Sequence, residues 1–290
     1  MPLSYVLGLI AGFATLARLV RKSAPLRRLL SLKLLRRSGV TRTVFRAHEA
    51  YQARRSGDAV QAGGSPLPPP RMRILVGGTA DVDWFLTVGR EIAKIISECV
   101  SESARSIDEM EAVLDFGCGC GRVLRHMPEL TDAQIFGSDY NPELVGWVRD
   151  CLPLATVAEN ARQPPLAFDE SMFDLVYAIS VFTHLTEDLQ HRWVSELARV
   201  VKPGGLLIFT THGERFVDRL GRAERERFRD GTMVVQFDEM EGSNWCAAFH
   251  PEEYVSRRLL GSSFVLRGFR PGAPDGVLQQ DCWTAERTAL

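Results

Sequence analysis

The feature that most constrains this chain is the stretch at residues 113–122, which reads Val-Leu-Asp-Phe-Gly-Cys-Gly-Cys-Gly-Arg. Its apolar beginning is typical of a buried strand, and its alternating glycines are typical of a tight turn. Glycine tolerates positive φ and allows a ligand to approach the backbone closely. We expect a helix to begin near Arg122, where free N–H groups and a positive dipole end suit an anionic or zwitterionic ligand.

The order of predicted elements after residue 111 indicates the fold class. Strands and helices alternate there, which is typical of an α/β protein whose parallel sheet has helices on both faces. The predicted strands are 112–116, 134–138, 155–158, 173–180 and 206–211, and the predicted helices are 142–151 and 186–201. Thr186 is the predicted N-cap of the second helix. Two further predicted strands, 264–269 and 280–285, would form an antiparallel pair at the sheet edge.

Residues 213–250 interrupt this alternation. We predict a charged helix over 214–229 and a hairpin that pairs 233–237 with 244–249, followed by a helix over 251–260. The interruption is therefore interpreted as an insertion within the larger domain.

Charge and composition divide the chain into three parts. Residues 1–60 contain 12 of the 35 Lys/Arg and 2 of the 36 Asp/Glu, so a basic arm precedes an acidic body. We predict a basic, partly apolar helical arm over 1–60, a proline- and glycine-rich linker with a cap segment over 61–110, and the main domain over 111–290. Within the cap segment, 71–79 is predicted as a short strand and turn, and 81–100 as a helix.

The arm has the pattern of a helix that lies on a membrane surface. The uncharged apolar run at 3–17 is shorter than the roughly 20 residues of a membrane-spanning helix. Its basic residues follow the run, whereas a secretory signal carries them in front. We predict that residues 1–40 contact an anionic membrane surface. Packing on the body or on a partner, and a short membrane span, are the alternatives.

The six cysteines show neither the spacing of a disulfide framework nor that of a zinc site. They are Cys99, Cys118, Cys120, Cys151, Cys246 and Cys282. We expect no metal site, and we expect small apolar thiols in a reducing compartment. The predicted location is the cytoplasm, with a peripheral position at the inner face of the membrane.

The spacing G-x-G-x-G, with Asp115 two residues before the first glycine, resembles the first motif of the class I S-adenosylmethionine-dependent methyltransferases. The dinucleotide fingerprint G-x-G-x-x-G has its third glycine one residue later. Residues 173–185 resemble the family's fourth motif, and Leu-Ala-Arg-Val-Val-Lys-Pro-Gly-Gly-Leu at 197–206 resembles its next motif closely. This resemblance covers about residues 110–212 in unbroken motif order. It implies a doubly wound, mostly parallel seven-stranded sheet of the Rossmann-like methyltransferase type and S-adenosyl-L-methionine as the cofactor.

The resemblance also implies that the glycine turn contacts the cofactor. Gly117, Cys118, Gly119 and Gly121 would lie against the methionine part of S-adenosylmethionine. Asp115 would support the turn and the amino group of the cofactor.

Polar residues at later strand ends complete the predicted cofactor site. Asp139, with Tyr140 beside it, ends the second strand, where a carboxylate can accept hydrogen bonds from ribose hydroxyls. An ordinary strand-end turn is the alternative. Asn160, next to Ala161, matches the family position that faces the adenine amino group, and a plain loop is the alternative. Ser180 ends the fourth strand, beside the expected position of the transferable methyl group.

The resemblance implies in-line transfer of a methyl group to O or N of a small-molecule, saccharide or lipid-linked acceptor. A hydroxyl nucleophile needs its proton removed. His184 is the predicted base, His212 is the second candidate, and His250 lies near the insertion. The insertion at 213–250 and the segment at 71–100 are predicted to wall the acceptor pocket.

Two other functions stay open at this point. One is a non-catalytic scaffold or membrane adaptor that binds S-adenosylmethionine, and the other is an NAD-dependent oxidoreductase, against which the glycine spacing argues. Nucleic acid is not expected as a partner, because the basic residues cluster in the arm and not beside the motifs. A wider pattern resembles a bacterial methyltransferase subgroup of unsettled substrate. Its marks are Val76-Gly77-Gly78-Thr79, Gly89-Arg90, residues 180–185 and Gln280-Asp281.

Overall fold

The computed structural model describes residues 66–289. The predicted arm at 1–60 and its membrane contact at 1–40 therefore lie outside the described residues. The α-helices of the described range are α1 Pro70–Gly77, α2 Val82–Glu102, α3 Pro142–Cys151, α4 Glu187–Val200, α5 Arg222–Arg229 and α6 Glu252–Tyr254. The strands are β1 Ala112–Phe116, β2 Gln134–Asp139, β3 Thr156–Glu159, β4 Phe173–Ala178, β5 Val201–Thr211, β6 Val234–Gln236, β7 Ala247–Phe249, β8 Phe264–Arg270 and β9 Asp281–Arg287.

Seven strands form one sheet in the order β3-β2-β1-β4-β5-β9-β8. Strands β1 to β5 are parallel, β9 is antiparallel to β5, and β8 is antiparallel to β9 at the edge. This confirms the predicted mostly parallel seven-stranded sheet. The strand order reverses between β1 and β4, and ligands of open α/β sheets bind at the carboxyl ends of the strands at such a point.

Successive residues of a strand point to opposite faces of the sheet. Because both faces carry apolar side chains, helices cover both of them. On β1, Leu114 belongs to the hydrophobic core that includes Trp193 of α4. The preceding Val113 belongs to a second core on the other face, which includes Ile96 of α2 and Val148 of α3. The doubly wound arrangement predicted from the alternating elements is therefore confirmed.

The segment before α2 is a helix, so the prediction of a short strand and turn at 71–79 is wrong. Its Ile-Leu-Val run has a strand-like composition, but Pro70 stands in the first helical turn, where proline is tolerated. The helix is capped at its C-terminus by Gly78, which has φ of 72° and donates its N–H to Ile74 O. The proline at the start and the glycine at the end therefore favour a helix over a strand for this short apolar run.

The segment after the glycine turn is a 3₁₀-helix over Leu124–Glu129, so the prediction of a helix that begins near Arg122 is wrong. Pro128 lies inside this segment and lacks the N–H that an α-helical ladder would need. Short 3₁₀ segments have poorer hydrogen-bond geometry than an α-helix. The predicted helix dipole consequently contributes little to this end of the sheet.

The insertion packs at the carboxyl end of the sheet. Its predicted hairpin is present, as the antiparallel pair β6–β7. The predicted charged helix is split into a 3₁₀-helix at Glu214–Arg219 and α5, with the break at Gly221. A bridge between His212, just after β5, and Phe249 of β7 joins the hairpin to the main sheet.

Residues 66–289 contain neither a candidate membrane span nor a candidate metal cluster. Within this range no helix is both long and apolar enough to cross a membrane. The same residues contain no group of three His, Cys, Asp or Glu side chains that could hold a metal ion. The six cysteines are free thiols.

Candidate functional site

The glycine turn lies at the carboxyl end of β1, between β2 and β4. Gly117 and Gly119 have φ of 80° and 55°. A Cβ on Gly117 would collide with Cγ2 of Val181, and one on Gly119 would lie 2.6 Å from Cγ2 of Val76. Both the backbone conformation and the available space therefore require glycine at these positions.

The N–H groups of the turn are hydrogen-bonded inside the protein. Those of Gly117 and Cys118 donate to Ser138 O at 2.8 and 3.0 Å. That of Gly119 donates to Asp139 Oδ2 at 2.9 Å. The turn is thus fixed to the end of β2, and it offers a ligand close backbone approach instead of free donors.

Asp115 and Asp139 are buried carboxyl groups beside the turn. Burial raises the pKa of Asp115 to about 8, and the charge of Asp139 adds to the rise, whereas Tyr177, Arg122 and the Leu124 N–H oppose it. Burial likewise raises the pKa of Asp139. A cationic or hydrogen-bond-donating ligand would favour the ionised form of both groups.

Asp139 can hold the turn and a ligand at the same time. Its Oδ2 accepts from Gly119 and its Oδ1 accepts from the N–H of Asn141, each at 2.9 Å. A carboxylate has about four lone-pair positions, so further acceptance from ligand hydroxyls is available.

Asn160 presents an acceptor without a partner. Its N–H donates to Asp139 O at 3.1 Å, and its Nδ2 donates to Ala161 O at 2.7 Å. Its Oδ1 is buried and has no hydrogen-bond partner. A buried acceptor of this kind costs stability until a donor meets it, and a ligand amino group would supply that donor.

A first cavity at the carboxyl end of the sheet brings most of the predicted site together. The predicted residues that line it are Asp115, Gly117, Cys118, Gly119, Asp139, Tyr140, Asn160, Ser180 and His184. The structure does not bring Gly121 and Ala161 to this lining. A Cβ on Gly121 would lie 2.6 Å from Cδ1 of Leu152, so this glycine allows the turn to pack against the residue that follows α3. Ala161 is exposed and contributes its carbonyl to Asn160.

The insertion supplies a roof for the first cavity, which the sequence did not predict. Gly242 donates its N–H to His184 O at 2.8 Å and accepts from the Tyr140 hydroxyl at 2.6 Å. Glu241 accepts from both the N–H and the hydroxyl of Thr186. The hydroxyl of Thr186 thus bonds to the roof and makes no side-chain capping bond to α4.

A second cavity of about 590 Å³ adjoins the first. Residues that line both cavities are Val76, Arg122, Ser180, His184 and Asn244. The other walls come from α2, from the insertion and from residues 277–280. The two segments predicted to wall the acceptor pocket therefore both line this cavity.

Ser180 is fixed at the boundary of the two cavities. Its φ is 62°, and its N–H donates to Thr210 Oγ1 at 2.8 Å. The hydroxyls of Ser180 and Thr210 both donate to Gln280 Oε1, at 3.0 and 2.6 Å. Sequence reasoning marked Gln280 but gave it no role. The pairing of β5 with β4 and β9 is the signal that places these three residues together.

Two histidines line the second cavity, His184 and His212, with ring centroids 6.3 Å apart. Their Nδ1 atoms contact carbonyl oxygens, of Cys246 at 2.7 Å and of Ala248 at 3.1 Å. Because a carbonyl only accepts, Nδ1 carries the proton and the lone pair of each neutral ring is at Nε2. Burial lowers the pKa of His212 well below its usual value. His250 is buried and lines neither cavity.

The strand order and the glycine turn at the end of β1 define a Rossmann-like methyltransferase fold. Residues 114–209 match the family model described as a methyltransferase domain. These residues form a methyltransferase domain of the class I S-adenosylmethionine-dependent family.

Comparison with known proteins gives short or distant matches. The chain is 23% identical over 202 residues to tRNA N(3)-methylcytidine methyltransferase Mettl2 of Drosophila melanogaster, which covers 62% of this chain and 59% of that protein. It is 30% identical over 105 residues to 2-methyl-6-phytyl-1,4-hydroquinone methyltransferase of Synechocystis, with coverage of 36% and 32%. The chain thus spans less than two thirds of the length of these curated relatives.

Among solved structures, the chain resembles Burkholderia thailandensis 1,6-didemethyltoxoflavin-N1-methyltransferase with bound 1,6-didemethyltoxoflavin and S-adenosylhomocysteine. The TM-score is 0.53 at 15% identity, and the match covers 80% of this chain and 99% of that one. This likeness shows the fold.

The residues of the first cavity fit S-adenosylmethionine, the cofactor of the family. The unpartnered Oδ1 of Asn160 suits the adenine amino group, and the buried carboxyl of Asp139 suits ribose hydroxyls. Gly117, Cys118 and Gly119 line this cavity, so the backbone of the turn borders the space that suits the methionine part.

Proposed function

We propose that the protein transfers the methyl group of S-adenosylmethionine to a hydroxyl or amine of a small-molecule, saccharide or lipid-linked acceptor. The observation that carries this proposal is the junction of the two cavities at Ser180 and His184, beyond the carboxyl end of β4. One cavity adjoins the glycine turn, and the other has the size of a small-molecule site.

The chain's own contribution is to position the reactants and to exclude water. When bound, S-adenosylmethionine supplies a methyl group that is already activated on a sulfonium. Asn160, Asp139 and Asp115 would hold its adenine, ribose and amino groups in turn. The roof at Glu241 and Gly242 covers the first cavity, and its bonds to the segment after β4 support that coverage.

His184 is the proposed general base for a hydroxyl acceptor. It lines both cavities, and the Cys246 carbonyl fixes its neutral tautomer with the lone pair at Nε2. His212 lines only the second of these cavities, which makes it the second candidate.

We propose the class of the acceptor from the net charge of residues 61–290. The names of the matched relatives include tRNA and small-molecule methyltransferases, so they favour neither class. Residues 61–290 hold 34 of the 36 Asp/Glu and 23 of the 35 Lys/Arg, and such a body attracts nucleic-acid phosphates poorly. We therefore favour a small or lipid-linked acceptor.

We also propose that residues 1–40 bring the enzyme to an anionic membrane surface from the cytoplasmic side. The basic residues of the arm, interleaved with leucines, support this proposal. Flotation of the full chain with phosphatidylglycerol vesicles tests it, because replacement of Arg27, Arg28, Arg36 and Arg37 by Gln should abolish co-flotation. Unchanged flotation of that variant would contradict the membrane contact.

The central test is a search for the product. The purified full chain is incubated with methyl-deuterated S-adenosylmethionine and either a metabolite extract or total RNA from cells that lack the protein. We expect a labelled product in the metabolite arm, together with S-adenosylhomocysteine. Label in RNA alone would contradict the acceptor class, and binding of cofactor without any labelled product would favour the non-catalytic scaffold.

A further inference from the structure

Two glutamine side chains of the second cavity have one end of the amide bonded inside the protein and the opposite end available to a ligand. They are Gln236 and Gln280. We propose that the methyl acceptor contains a planar cyclic amide, whose N–H donates to Gln236 Oε1 and whose carbonyl accepts from Gln280 Nε2. The methylated atom is a different one. This inference rests on the proposed function and adds the chemical class of the acceptor.

Gln236 carries the inference furthest, because its amide has a fixed orientation. Its Nε2 donates to Glu224 Oε2 at 2.8 Å. An ionised carboxylate only accepts, so the N–H end of the amide faces Glu224. The opposite end, Oε1, is buried and has no hydrogen-bond partner. A buried carbonyl of this kind costs stability until a donor meets it, and an N–H group of the acceptor would supply that donor.

Glu224 holds this orientation from outside the second cavity, whose lining does not include it. Its Oε2 also accepts the N–H of Gly221 at 2.7 Å, at the start of α5. The backbone therefore fixes the carboxylate, and the carboxylate fixes the amide of Gln236. Because a hydrogen bond to a charged group is strong, rotation of that amide would be costly. Glu224 is thus a positioning residue for Gln236.

Gln280 offers the opposite end of its amide. Thr210 is fully buried, and its Oγ1 accepts the N–H of Ser180, so its own proton goes to Gln280 Oε1 at 2.6 Å. The hydroxyl of Ser180 donates to the same oxygen at 3.0 Å. With Oε1 bonded to two hydroxyls, Nε2 is the end of Gln280 that is left to donate. The second cavity therefore combines one fixed acceptor and one fixed donor.

The aromatic walls of the second cavity suit a flat body. These side chains come from α2 and from the insertion, and they are Trp84, Phe216, Phe237 and Trp245. The guanidinium of Arg122 lies 5.5 Å from the ring centroid of Trp84, and that of Arg219 lies 4.4 Å from the ring centroid of Phe216. Such contacts favour fixed positions of the two rings. Aromatic walls with a few polar groups are typical of sites for small organic ligands.

The two amides select a ligand by what a wrong ligand leaves unpaired. An analogue without the N–H leaves Gln236 Oε1 buried and unpaired, and one without the carbonyl leaves Gln280 Nε2 without its acceptor. A site built for hydrogen bonds rejects such analogues more strongly than an apolar pocket rejects a missing methylene. A cyclic amide carries both groups on one rigid ring, so binding orders both contacts at a small cost in entropy.

The experiment compares three probes of similar shape on the full chain saturated with S-adenosylhomocysteine. The probes are 2-oxindole, which has both groups, 1-methyl-2-oxindole, which lacks the N–H, and indole, which lacks the carbonyl. Calorimetry measures the affinity of each. We expect 2-oxindole to bind at least about tenfold more tightly than either analogue, which corresponds to about 1.4 kcal/mol.

Variants separate the two contacts. Gln236→Leu should reduce the preference over 1-methyl-2-oxindole to within about threefold and keep the preference over indole, and Gln280→Leu should do the reverse. Because leucine is close to glutamine in size, a purely steric effect of the probe's methyl group would persist in Gln236→Leu. Glu224→Ala should also weaken the first preference, since it releases the Gln236 amide. Gln134→Leu, exposed at the start of β2, is the control and should change neither preference.

Each other result contradicts the inference. Equal binding of 2-oxindole and either analogue, or no binding of any probe, overturns it. An unchanged preference in the matching variant assigns that group to another residue, such as His212 through Nε2, and also overturns it. Should Gln236→Leu not fold, Glu224→Ala and Gln280→Leu still decide the question. If the parent chain does not bind S-adenosylhomocysteine, the proposed function itself fails, which is a distinct result.

Discussion

The two adjoining cavities are built in different ways. Backbone geometry dominates the first, since a glycine turn, its bonds to β2 and the ends of parallel strands fix its shape. Side chains from α2, the insertion and residues 277–280 make the second. A site defined by backbone tolerates few changes at its turn, whereas a side-chain cavity can be altered one contact at a time. The difference predicts that the first cavity is general to the fold and that the second sets the acceptor.

The largest effect is expected at the turn. Gly117→Val places a side chain at a φ of 80° and against Val181, so we expect S-adenosylhomocysteine affinity to fall by at least about 100-fold. The control is Gly146→Ala in α3, where a Cβ meets nothing within 4 Å. This control should keep its affinity and gain about 0.5–1 kcal/mol of stability. Calorimetry and thermal unfolding measure both, and normal affinity of Gly117→Val would contradict the backbone description of the first cavity.

A smaller loss is expected from Asp139, because its carboxylate serves both the turn and the ligand. Asp139→Ala removes the acceptor for the Gly119 N–H as well as the expected ribose contact. We expect S-adenosylhomocysteine to bind about 30-fold more weakly, or about 2 kcal/mol. Exposed Asp132→Ala is the matched control and should not change the affinity. Equal affinity of both variants would remove Asp139 from the cofactor site.

His184 tests the boundary between the cavities. His184→Ala should reduce turnover of the identified acceptor at least about tenfold while S-adenosylhomocysteine affinity holds. His191→Ala, an exposed histidine on α4 that lines neither cavity, is the control. Measurement of kcat against pH adds a second readout. If His184 is the base, its loss removes the fall in kcat at low pH that protonation of the base causes. Unchanged kcat in His184→Ala would exclude His184 as the base and leave His212 as the next candidate.

The same contrast explains what the sequence could and could not predict. Alternating strands and the glycine turn are local patterns, so the sheet and the positions of Asp115, Asp139 and Asn160 could be read from the chain. The 3₁₀-helix after the turn was missed because the effect of Pro128 on the ladder outweighed the expected helix start.

The second cavity could not be predicted in detail, because its contacts are long-range. Nothing near Tyr140 in the chain predicts its bond to Gly242, which lies about 100 residues away. Gln280 joins Ser180 and Thr210 only because β9 pairs with β5 and β5 with β4. Arg122 was visible as the end of the glycine stretch, but its place in the lining of both cavities appears only once the chain is folded.

A separate prediction concerns the pH dependence of stability at the first cavity. The folded-state pKa of Asp115 is about 8, against a usual value of 3.8. Stability from the buried neutral carboxyl is therefore fully present below about pH 4 and is lost as pH rises toward 8. Asp115→Asn stays neutral throughout, so its free energy of unfolding should fall less than that of the parent between pH 5 and 8. Denaturant titrations measure the free energy of unfolding of both chains. Subtracting one from the other cancels the opposite contribution of the buried histidines, which both chains share.

Ligand binding should show the reverse dependence. If the amino group of S-adenosylhomocysteine favours the ionised form of Asp115, binding releases close to one proton, and affinity rises by about ninefold from pH 6 to pH 7. Calorimetry in buffers of different ionisation enthalpy counts that proton directly. A parent chain that releases no proton, or an Asp115→Asn variant that releases the same number, would show that Asp115 supports the turn without meeting the ligand. In that case the first cavity would recognise its cofactor through the strand ends at Asp139 and Asn160 alone, and backbone shape would account for the rest.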